Sequence, residues 1–529
     1  MRALITYILL ITGFNTFAQT GTMVFNDTVM HNISIETELV NWFDTLEHDF
    51  DQSMSNPDLY PEKYHRCSVT WDGILLSNCG FREKGNASNT LTSFGKKKPF
   101  KIAFDEFTNQ ELDGLEKLNL NNFTNDPSLL HDVICFKLFR DAGIPASRTS
   151  FAKLTVNGEY IGIYVVIENV DKTFLKDHYN SANNDGNLYK TDRGAQVSLN
   201  WLGYGTQGYE DQGLKLTTNE TENDWSELLE FLDHLNNDYS DNFRNYFESN
   251  FDIHSYLKIL AIEKLVRSWD SYWGGGNNFY MYEHPDGKIR WIPWDMNETF
   301  QDIKIISGVS DLLDGYLIPT NKFDKRPLLK RIFEIEDYKN EYLNYACELI
   351  QSNFSLDHLG QYILDRHNLI DEAYKSDPYK YNTYQSFDRS LTEYNQDAVS
   401  VAASAYVLRI NYPGLYPFIQ SQREWAVEQM EGWELKCSIE DNSVYDLFVY
   451  PNPTDDYINI APDPASPFDY AQFKLYDFTG KLCLNTKFDL TEGVYTLKLD
   501  EVPSGIYLLL KYSADGRIGR AKIIVNSQK

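Results

Sequence analysis

Residues 270–300 hold the densest group of side chains able to bind a metal ion or move a proton. The segment reads DSYWGGGNNFYMYEHPDGKIRWIPWDMNETF. Its HPDG turn separates two predicted strands, Asn278 to Glu283 and Lys288 to Trp294. Counting from either plausible turn centre places Asn278 opposite Asp295 or two residues short of it. The hairpin is therefore predicted to bring together an amide oxygen and a carboxylate, both suited to Mg²⁺ or Mn²⁺.

Asp270 lies just upstream, where a helical pattern ends and the chain enters this hairpin. Protein kinases use a catalytic-loop Asp as base, an Asn on the metal, and a short hairpin that leads to a metal-binding Asp. Asp270, Asn278 and Asp295 follow that order. Either acid alone is also explained as a helix cap or a strand end, whereas the set of three favours a catalytic site.

A basic segment precedes them. Residues 82–101 read REKGNASNTLTSFGKKKPFK and contain six bases and one acid. The small-residue turn that starts at Gly85 and includes Asn86 and Ser88 offers backbone N–H groups to a phosphate. The alternative is a solvated lysine-rich hairpin that protects a strand edge from pairing.

A helix is predicted to follow this segment, from Asp126-Pro127-Ser128 to Gly143. Apolar residues surround most of its axis, so Asp132 would be a carboxylate on a buried face and would need a cationic partner. Lys101, on the strand KPFKIAF, is the candidate, as in the lysine–acid clamp of kinases. The alternative, in which Asp132 caps the helix or faces solvent, remains open.

The next predicted unit is a hairpin around Asn157-Gly158. Its second strand ends at Ile167-Glu168-Asn169 and passes into the helical pattern DKTFLKDHY. In a kinase-like lobe this strand-to-helix junction is where the adenine edge meets the backbone, so Glu168 is a candidate for the nucleotide site.

The elements that position these residues form one α+β unit. Its first part is rich in strands, and from about Asn223 it is dominated by long helical patterns, which predicts a cleft between two lobes. From Val444 to the end, short β-rich runs with turn residues predict a small β-sandwich.

Composition and targeting signals bound the function. The chain of 529 residues has 48 Lys and Arg against 77 Asp and Glu, a net charge of −29, which disfavours nucleic acids and anionic membranes as partners. Residues 1–18 read as a signal peptide cut after Ala18, and no transmembrane segment is predicted.

The cysteines offer one local pair. Cys67 and Cys79 flank Asp72-Gly73. A hairpin loop of three residues would set them opposite each other, whereas a loop of two residues would not. A disulfide and two buried thiols both remain open for them, whereas Cys135 and Cys347 are expected to be reduced core residues.

The final region resembles a known targeting module. YPNPTDDYINI, YDFTGK, SGIYLLL and KIIV occur in order within residues 444–529. They resemble the type A sorting domain of substrates of the type IX secretion system of Bacteroidetes. The resemblance implies that the secretion machinery is a partner and that the protein reaches the outer-membrane surface or the extracellular space.

Residues from about 22 to 435 resemble the spore coat protein H (CotH) family of atypical secreted kinases. The motifs that carry this resemblance include FREKGNAS, KKKPFKIAF, GNLYK, RSWDSYWGGGNNFYMY and WIPWDMNETF. The resemblance implies a kinase-like two-lobed fold over residues 19–440, with an N-lobe to about residue 170 and a C-lobe from about 171. It also implies ATP with Mg²⁺ or Mn²⁺ as cofactors and a protein hydroxyl as acceptor.

Carried over residue by residue, the resemblance makes Asp270 the catalytic residue, and Asp295, Asn278 and Asn297 the metal site. The expected nucleotide contacts are Gly85, Asn86, Ser88, Lys98, Lys101, Asp132 and Glu168. Two positions depart from the family pattern: many members have an acid at the position of Asn297 and a glycine at that of Gln301.

Three functions follow from these residues. The first is an exported kinase that phosphorylates Ser or Thr hydroxyls of surface or secreted proteins. The second is a surface binding or adhesion protein that keeps the fold without turnover. The third is a transferase that moves another part of a nucleotide. Scarce ATP outside the cell favours the second, whereas the retention of Lys101, Asp270, Asn278 and Asp295 favours the first.

Overall fold

The computed structural model describes residues 19–57, 59–85, 95–179, 184–192, 194–305, 316–395, 408–438, 444–461, 471–479, 481–488, 494–513 and 518–526. The predicted signal peptide lies outside these ranges. Among the described residues, no helix is long and apolar enough to cross a membrane.

The first part of the chain is a closed seven-stranded barrel. Its strands are β1 (Met30–Glu36), β2 (His65–Trp71), β3 (Ile74–Glu83), β4 (Phe100–Ala103), β5 (Lys117–Asn121), β6 (Thr149–Val156) and β7 (Glu159–Glu168), in the order β1-β2-β3-β4-β5-β7-β6. Parallel pairing of β1 with β6 closes the barrel, because Met30 aligns with Phe151 and Ile35 with Val156. The inward side chains form a separate apolar core that includes Trp71, Phe100 and Tyr164.

The closed barrel differs from the β-rich kinase lobe that the sequence predicted. The region is rich in strands, as expected. However, β1 pairs with both β2 and β6, so the sheet closes on itself and has no free edge there. Helix α1 (Trp42–Ser55) contacts β3. Helix α2 (His131–Asp141) contacts β6 and the helix Ile253–Leu265. Helix α2 is buried along most of its length, as predicted, and its core is shared with the helical region.

A helical region follows. Its helices are α3 (Lys172–Tyr179), α4 (Gln207–Asp211), α5 (Ser226–Asn237), α6 (Phe243–Asn250), α7 (Ile253–Leu265), α8 (Pro327–Phe333), α9 (Glu336–Gln351), α10 (Leu356–Lys375), α11 (Tyr384–Arg389) and α12 (Leu415–Glu431), with one 3₁₀ turn at Thr320–Lys322. Helix α7 is buried along most of its length, with Glu263 and Lys264 among its buried residues, and its apolar residues lie in the largest core.

Two small sheets are set into this region. The four-stranded sheet has the order β11-β10-β8-β9, built from β8 (Leu188–Thr191), β9 (Leu214–Leu216), β10 (Phe279–His284) and β11 (Lys288–Pro293). Strands β12 (Asp302–Ile305) and β13 (Leu408–Asn411) form a two-stranded pair. The β10–β11 hairpin is the one predicted around HPDG, and it carries the candidate site at its open end.

The C-terminal region is all β, as predicted. It has a five-stranded sheet, β14-β21-β20-β17-β18, and a three-stranded sheet, β15-β16-β19, which share one apolar core. The strands are β14 (Val444–Asp446), β15 (Val449–Tyr450), β16 (Tyr457–Ile460), β17 (Ala471–Asp477), β18 (Leu482–Phe488), β19 (Tyr495–Lys498), β20 (Gly505–Ser513) and β21 (Ile518–Val525).

The cysteines pair differently from the prediction. Cys347 forms a disulfide with Cys437, so its assignment as a reduced core residue is wrong. Cys67 and Cys79 are opposed in the β2–β3 hairpin but are free thiols. The loop between them has two residues, and a bulge between Cys67 and Val69 supplies the one-residue shift that brings them opposite each other.

Candidate active site

Asp270 and Asn278 are in direct contact. The carboxylate oxygen Oδ2 of Asp270 accepts a hydrogen bond from Nδ2 of Asn278 at 2.9 Å. Asp270 lies in the turn that follows α7, and Asn278 immediately precedes β10. The hydrogen bond fixes the orientation of the carboxylate and leaves the amide oxygen of Asn278 available to another ligand.

The hairpin register differs slightly from both predicted alternatives. Phe279 aligns with Pro293, and the N–H of Trp294 donates to the carbonyl of Asn278 at 3.2 Å. Asp295 therefore lies one residue beyond the position opposite Asn278. Both Asn278 and Asp295 have left-handed backbones, with φ of 57° and 52°. Such conformations in non-glycine residues concentrate at functional sites, where the surrounding structure maintains them.

The glycine run before Asn278 permits close backbone packing. A side chain at Gly274 would lie 1.8 Å from the carbonyl oxygen of Trp269, and one at Gly276, whose φ is 78°, would lie 2.7 Å from that of Val197. Arg326 supports the same turn, because its guanidinium donates to the carbonyls of Tyr272 at 2.5 Å and Gly274 at 2.9 Å. The Asp270 turn is thus held from two sides.

Helix α2 holds the loop that carries Asp295. The carboxylate of Asp132 accepts from the N–H of Met296 at 2.9 Å, and Nδ1 of His131 lies 2.9 Å from the carbonyl oxygen of Asn297. The predicted partner of Asp132 was Lys101, and that assignment is wrong: Asp132 positions the backbone beside Asp295. Burial raises the pKa of Asp132 to about 8, and the charge of Asp295 acts in the same direction.

The predicted start of α2 is corrected by one turn. The helix begins at His131, because Leu129 has a left-handed φ of 62° that interrupts the helical path. Asp126 still serves the helix entry: its carboxylate accepts from the N–H groups of Ser128, Leu129 and His131 at 2.8–2.9 Å.

Lys84 and Lys190 lie near Asp295, and Lys101 lies near these two lysines. Lys84 follows β3, and its Nζ lies 5.8 Å from the ring centre of Trp294, the neighbour of Asp295. Lys190 on β8 pairs with Tyr280, two residues after Asn278. Lys101 on β4 aligns with Arg82. We call the cluster formed by these three lysines together with Asp270, Asp295 and Glu298 the site recess.

The electrostatics show that the lysines share one environment. Burial lowers the pKa of Lys101 well below its usual value, and the charges of Arg82, Lys190 and Lys84 lower it further. Burial lowers the pKa of Lys84 to about 8, against the opposing charge of Asp295. Within the described part of the chain, Lys101 forms no ion pair. The cations that surround Lys101 favour an anionic ligand on this side of the recess.

The acids of the recess are also perturbed. Burial raises the pKa of Asp270 to about 8, and the charges of Glu298 and then Asp295 add to this shift. Burial also raises the pKa of Asp295, although the charges of Lys84 and Lys190 oppose it. All three acids keep part of their surface accessible to solvent. Like charges held at this density favour a bound cation.

The rest of the basic segment is not directed at the recess. Lys96 pairs with Glu159 at 2.5 Å, Lys97 with Asp377 at 2.5 Å, and Lys98 with Glu47 at 3.4 Å. Lys98 was predicted to contact the nucleotide, but the structure turns it toward α1. The three lysines therefore pair with β7, with the segment after α10 and with α1, rather than forming one phosphate site.

Four predicted nucleotide contacts remain, of which Glu168 and Gly85 lie in the described part of the chain. Glu168 is buried and paired with Arg148, whose Nε lies 3.0 Å from Oε2, and its N–H donates to the carbonyl of Arg148. The carboxylate of Glu168, at the end of β7, is therefore engaged in an ion pair with Arg148. Gly85, at the end of a described range, has a positive φ of 91°. Asn86 and Ser88 lie outside the described residues.

The donor set of the recess fits a metal–nucleotide complex better than an isolated metal. No three Asp, Glu, His or Cys side chains among the described residues converge enough to hold a metal ion. Mg²⁺ is typically bound by one or two carboxylates plus substrate phosphates. Asp295 can supply such a carboxylate, since its side chain accepts no hydrogen bond from the described residues, and the three lysines can meet the phosphates.

Sequence reasoning missed several residues that form this site. Lys190 was visible within the motif GNLYK but received no role. No local sequence pattern marks Arg326, Asn125 or Glu298. Their partners are more than fifty residues away in the sequence: Arg326 contacts Tyr272, and Asn125 contacts Glu298. Only the tertiary contacts reveal them.

Comparison with known proteins assigns this architecture to a family. The sequence model described as CotH kinase protein matches residues 81–401, which include the recess and all its charged residues. The chain belongs to the CotH family. A CotH relative, the inner spore coat protein H of Bacillus subtilis, is 25% identical over 300 residues, covering 56% of this chain and 78% of that protein.

Other CotH relatives come from a fungus. The proteins named invasin CotH2 and invasin CotH3 of Rhizopus delemar are each 22% identical to this chain over 47% of its length. The matched segment spans 43% of each invasin, less than half of its length.

The end of this CotH chain is matched separately. Residues 448–526 match the model described as a secretion system C-terminal sorting domain. The protein is therefore exported to the outer-membrane surface or the extracellular space, with the secretion machinery as a partner.

Proposed function

We propose that this CotH protein is an exported kinase that transfers the γ-phosphoryl group of ATP to Ser or Thr hydroxyls of surface or secreted proteins. The observation that carries the proposal is the recess itself, in which Asp270 is fixed by Asn278, Asp295 lies near Lys84 and Lys190, and Lys101 lies near those two lysines. The barrel and the helical region would correspond to the two lobes of a kinase-like fold, with ATP and its metal between them.

In this proposal Asp270 orients the acceptor hydroxyl and takes its proton. The hydroxyl oxygen forms a bond to the γ-phosphorus as the bond from that phosphorus to the ADP oxygen breaks. A base is most effective when its pKa lies near the working pH, and burial moves that of Asp270 toward this range. The hydrogen bond from Asn278 holds the carboxylate in one orientation during the step.

Charge neutralisation would be shared. Lys84, Lys101 and Lys190 offset the negative charge of the phosphates from the side of the barrel and β8. Mg²⁺ or Mn²⁺ held by Asp295 and the amide oxygen of Asn278 would supply further positive charge. Positioning and electrostatic stabilisation are the main contributions to phosphoryl transfer.

A second candidate is a surface binding protein without turnover. The relatives are named for a spore coat and for invasion, and these names state no enzymatic activity. Export also favours this function, because ATP is scarce outside the cytoplasm. The density of charged groups in the recess favours the kinase.

The test is autophosphorylation and nucleotide binding by residues 19–529 with labelled ATP and Mg²⁺ or Mn²⁺. Asp270→Ala should reduce the rate by about 10²–10⁴-fold while nucleotide still binds. Asp295→Ala should weaken metal-dependent nucleotide binding. Asp286→Ala, at the opposite end of the same hairpin, is the matched control and should keep both properties.

Equal labelling of the wild type and of the Asp270 and Asp295 variants would contradict the assigned site. Nucleotide binding without transfer to any hydroxyl would favour the binding protein or the transfer of another part of the nucleotide. Absence of nucleotide binding by the wild type would leave the surface binding function.

A further inference from the structure

The carboxylate of Glu298 is held by amide groups. Its Oε1 accepts from Nδ2 of Asn125 at 2.7 Å, and its Oε2 accepts from Nε2 of Gln301 at 3.0 Å. Nδ2 of Asn297 lies 3.5 Å from Oε1. A glutamate on a surface loop samples several rotamers, whereas donors on both oxygens fix this carboxylate in one place.

The side-chain NH₂ group of Asn297, a residue predicted to bind metal through its amide oxygen, takes part in this arrangement. Its Nδ2 donates to the carbonyl of Thr124 at 3.2 Å and is directed at Glu298 on the same side. A carboxylate is a stronger ligand than an amide for a hard cation, because it carries a full negative charge. Glu298 is therefore better suited than Asn297 to face the cation.

Glu298 is also linked to the Asp270 turn. Oε1 of Gln301 accepts from Nε1 of Trp269 at 3.2 Å, and Trp269 directly precedes Asp270. Gln301 thus joins the residue before the catalytic candidate to the carboxylate of Glu298. Glu298 lies three residues after Asp295 and keeps part of its surface accessible to solvent. After burial, its charge raises the pKa of Asp270, as expected for two neighbouring carboxylates.

We propose that Glu298 is the second carboxylate of the metal site in this chain, and that Asn125, Asn297 and Gln301 are the positioning residues that hold it. The inference rests on the proposed function for the identity of the recess and adds a residue to it. Mg²⁺ keeps several of its waters in protein sites, so Glu298 can hold the hydrated ion together with Asp295.

The experiment measures Mn²⁺ binding by electron paramagnetic resonance, first with the metal alone and then with a non-hydrolysable ATP analogue. Glu298→Gln should weaken Mn²⁺ binding at least tenfold and leave metal-free nucleotide binding within twofold of wild type. Gln301→Met keeps the carboxylate but removes one of its donors, so a weakening of about threefold is expected. Glu283→Gln is the matched control, a buried acid held by an amide and a hydroxyl outside the recess.

The outcomes separate this inference from the proposed function. If Mn²⁺ binding depends on Glu298 but no nucleotide binds, the carboxylate assignment stands and the kinase proposal falls. If nucleotide binds and Glu298→Gln retains wild-type Mn²⁺ affinity, the inference is overturned while the kinase proposal remains. A wild type that binds neither probe would overturn both. Circular dichroism of each variant establishes that it is folded, and Gln301→Met provides a test that retains the acid.

Discussion

Nζ of Lys97 lies 2.5 Å from Oδ2 of Asp377, and both side chains are buried. Lys97 lies just before β4 of the barrel and Asp377 follows α10, so this ion pair joins the barrel to the helical region. Asp377 also accepts from the N–H groups of Ile163 at 3.0 Å and Tyr379 at 2.9 Å. The pair is therefore a structural connection rather than a phosphate site.

Lys97→Met should destabilise the protein by about 3–5 kcal/mol, because it leaves the buried carboxylate of Asp377 without its cation. The double variant Lys97→Met/Asp377→Leu should lose less than the sum of the two single variants. Urea unfolding measures all three. Lys96→Met is the control: its ion pair with Glu159 is partly exposed, so a loss of at most about 1 kcal/mol is expected. Strict additivity would show that the two residues do not interact.

Lys101→Met should have opposite effects on binding and stability. Nucleotide affinity should fall by roughly tenfold or more, because a cation that faces the phosphates is lost. The thermal midpoint of the free protein should rise, since the substitution removes a charge that burial and neighbouring cations disfavour. Calorimetric titration and thermal unfolding measure the two effects, with Lys153→Met on β6 as the control. A fall in both quantities would identify a structural role instead.

Glu283 should make stability depend on pH. Burial raises its carboxyl pKa to about 7 in the folded protein, and the charge of Glu227 adds to the shift. The pKa of a glutamate in an unfolded chain is about 4.3. Between this pKa and the folded value of about 7, the folded state therefore binds the proton more strongly than the unfolded state does. The contribution to the free energy of unfolding is therefore full below about pH 4.3 and is lost as the pH rises through 7.

Glu283→Gln carries no such proton. The difference between the two thermal midpoints, wild type minus Glu283→Gln, should be smaller at pH 8 than at pH 5. The comparison requires both proteins in the same buffers at the two pH values. A constant difference between them would show that Glu283 does not titrate in this range.

The Cys347–Cys437 disulfide closes a loop with a sequence separation of 90 residues. A disulfide across a loop of this length limits the unfolded chain, so Cys347→Ser should reduce the free energy of unfolding by about 2–4 kcal/mol. Denaturant unfolding with and without a reductant measures the effect, and non-reducing peptide mapping identifies the bond. Cys483→Ser, an exposed free cysteine in the C-terminal region, should have little effect. A reductant that leaves wild-type stability unchanged would contradict the assignment.

Local patterns were sufficient for many elements. The HPDG hairpin, the Asn157-Gly158 hairpin, the buried helix before Gly143 and the all-β C-terminal region were all predicted. Each depends on residues close in sequence, such as turn residues and apolar periodicity, whose effect does not require distant partners. The closing of the barrel was not predicted, because it depends on the pairing of β1 with β6, more than a hundred residues apart.

The sequence alone determined which groups of chemical interest exist and in what order: Lys101, then Asp270, Asn278 and Asp295, followed by a sorting domain that directs export. Only the tertiary structure decided which of them meet. Lys96, Lys97 and Lys98 look alike in sequence, but Glu159, Asp377 and Glu47 bind them, whereas Lys84 lies near Asp295 and Lys101 lies near Lys84 and Lys190. The physical reason is that a charge is directed by its nearest counter-charge, and here those counter-charges come from distant parts of the chain.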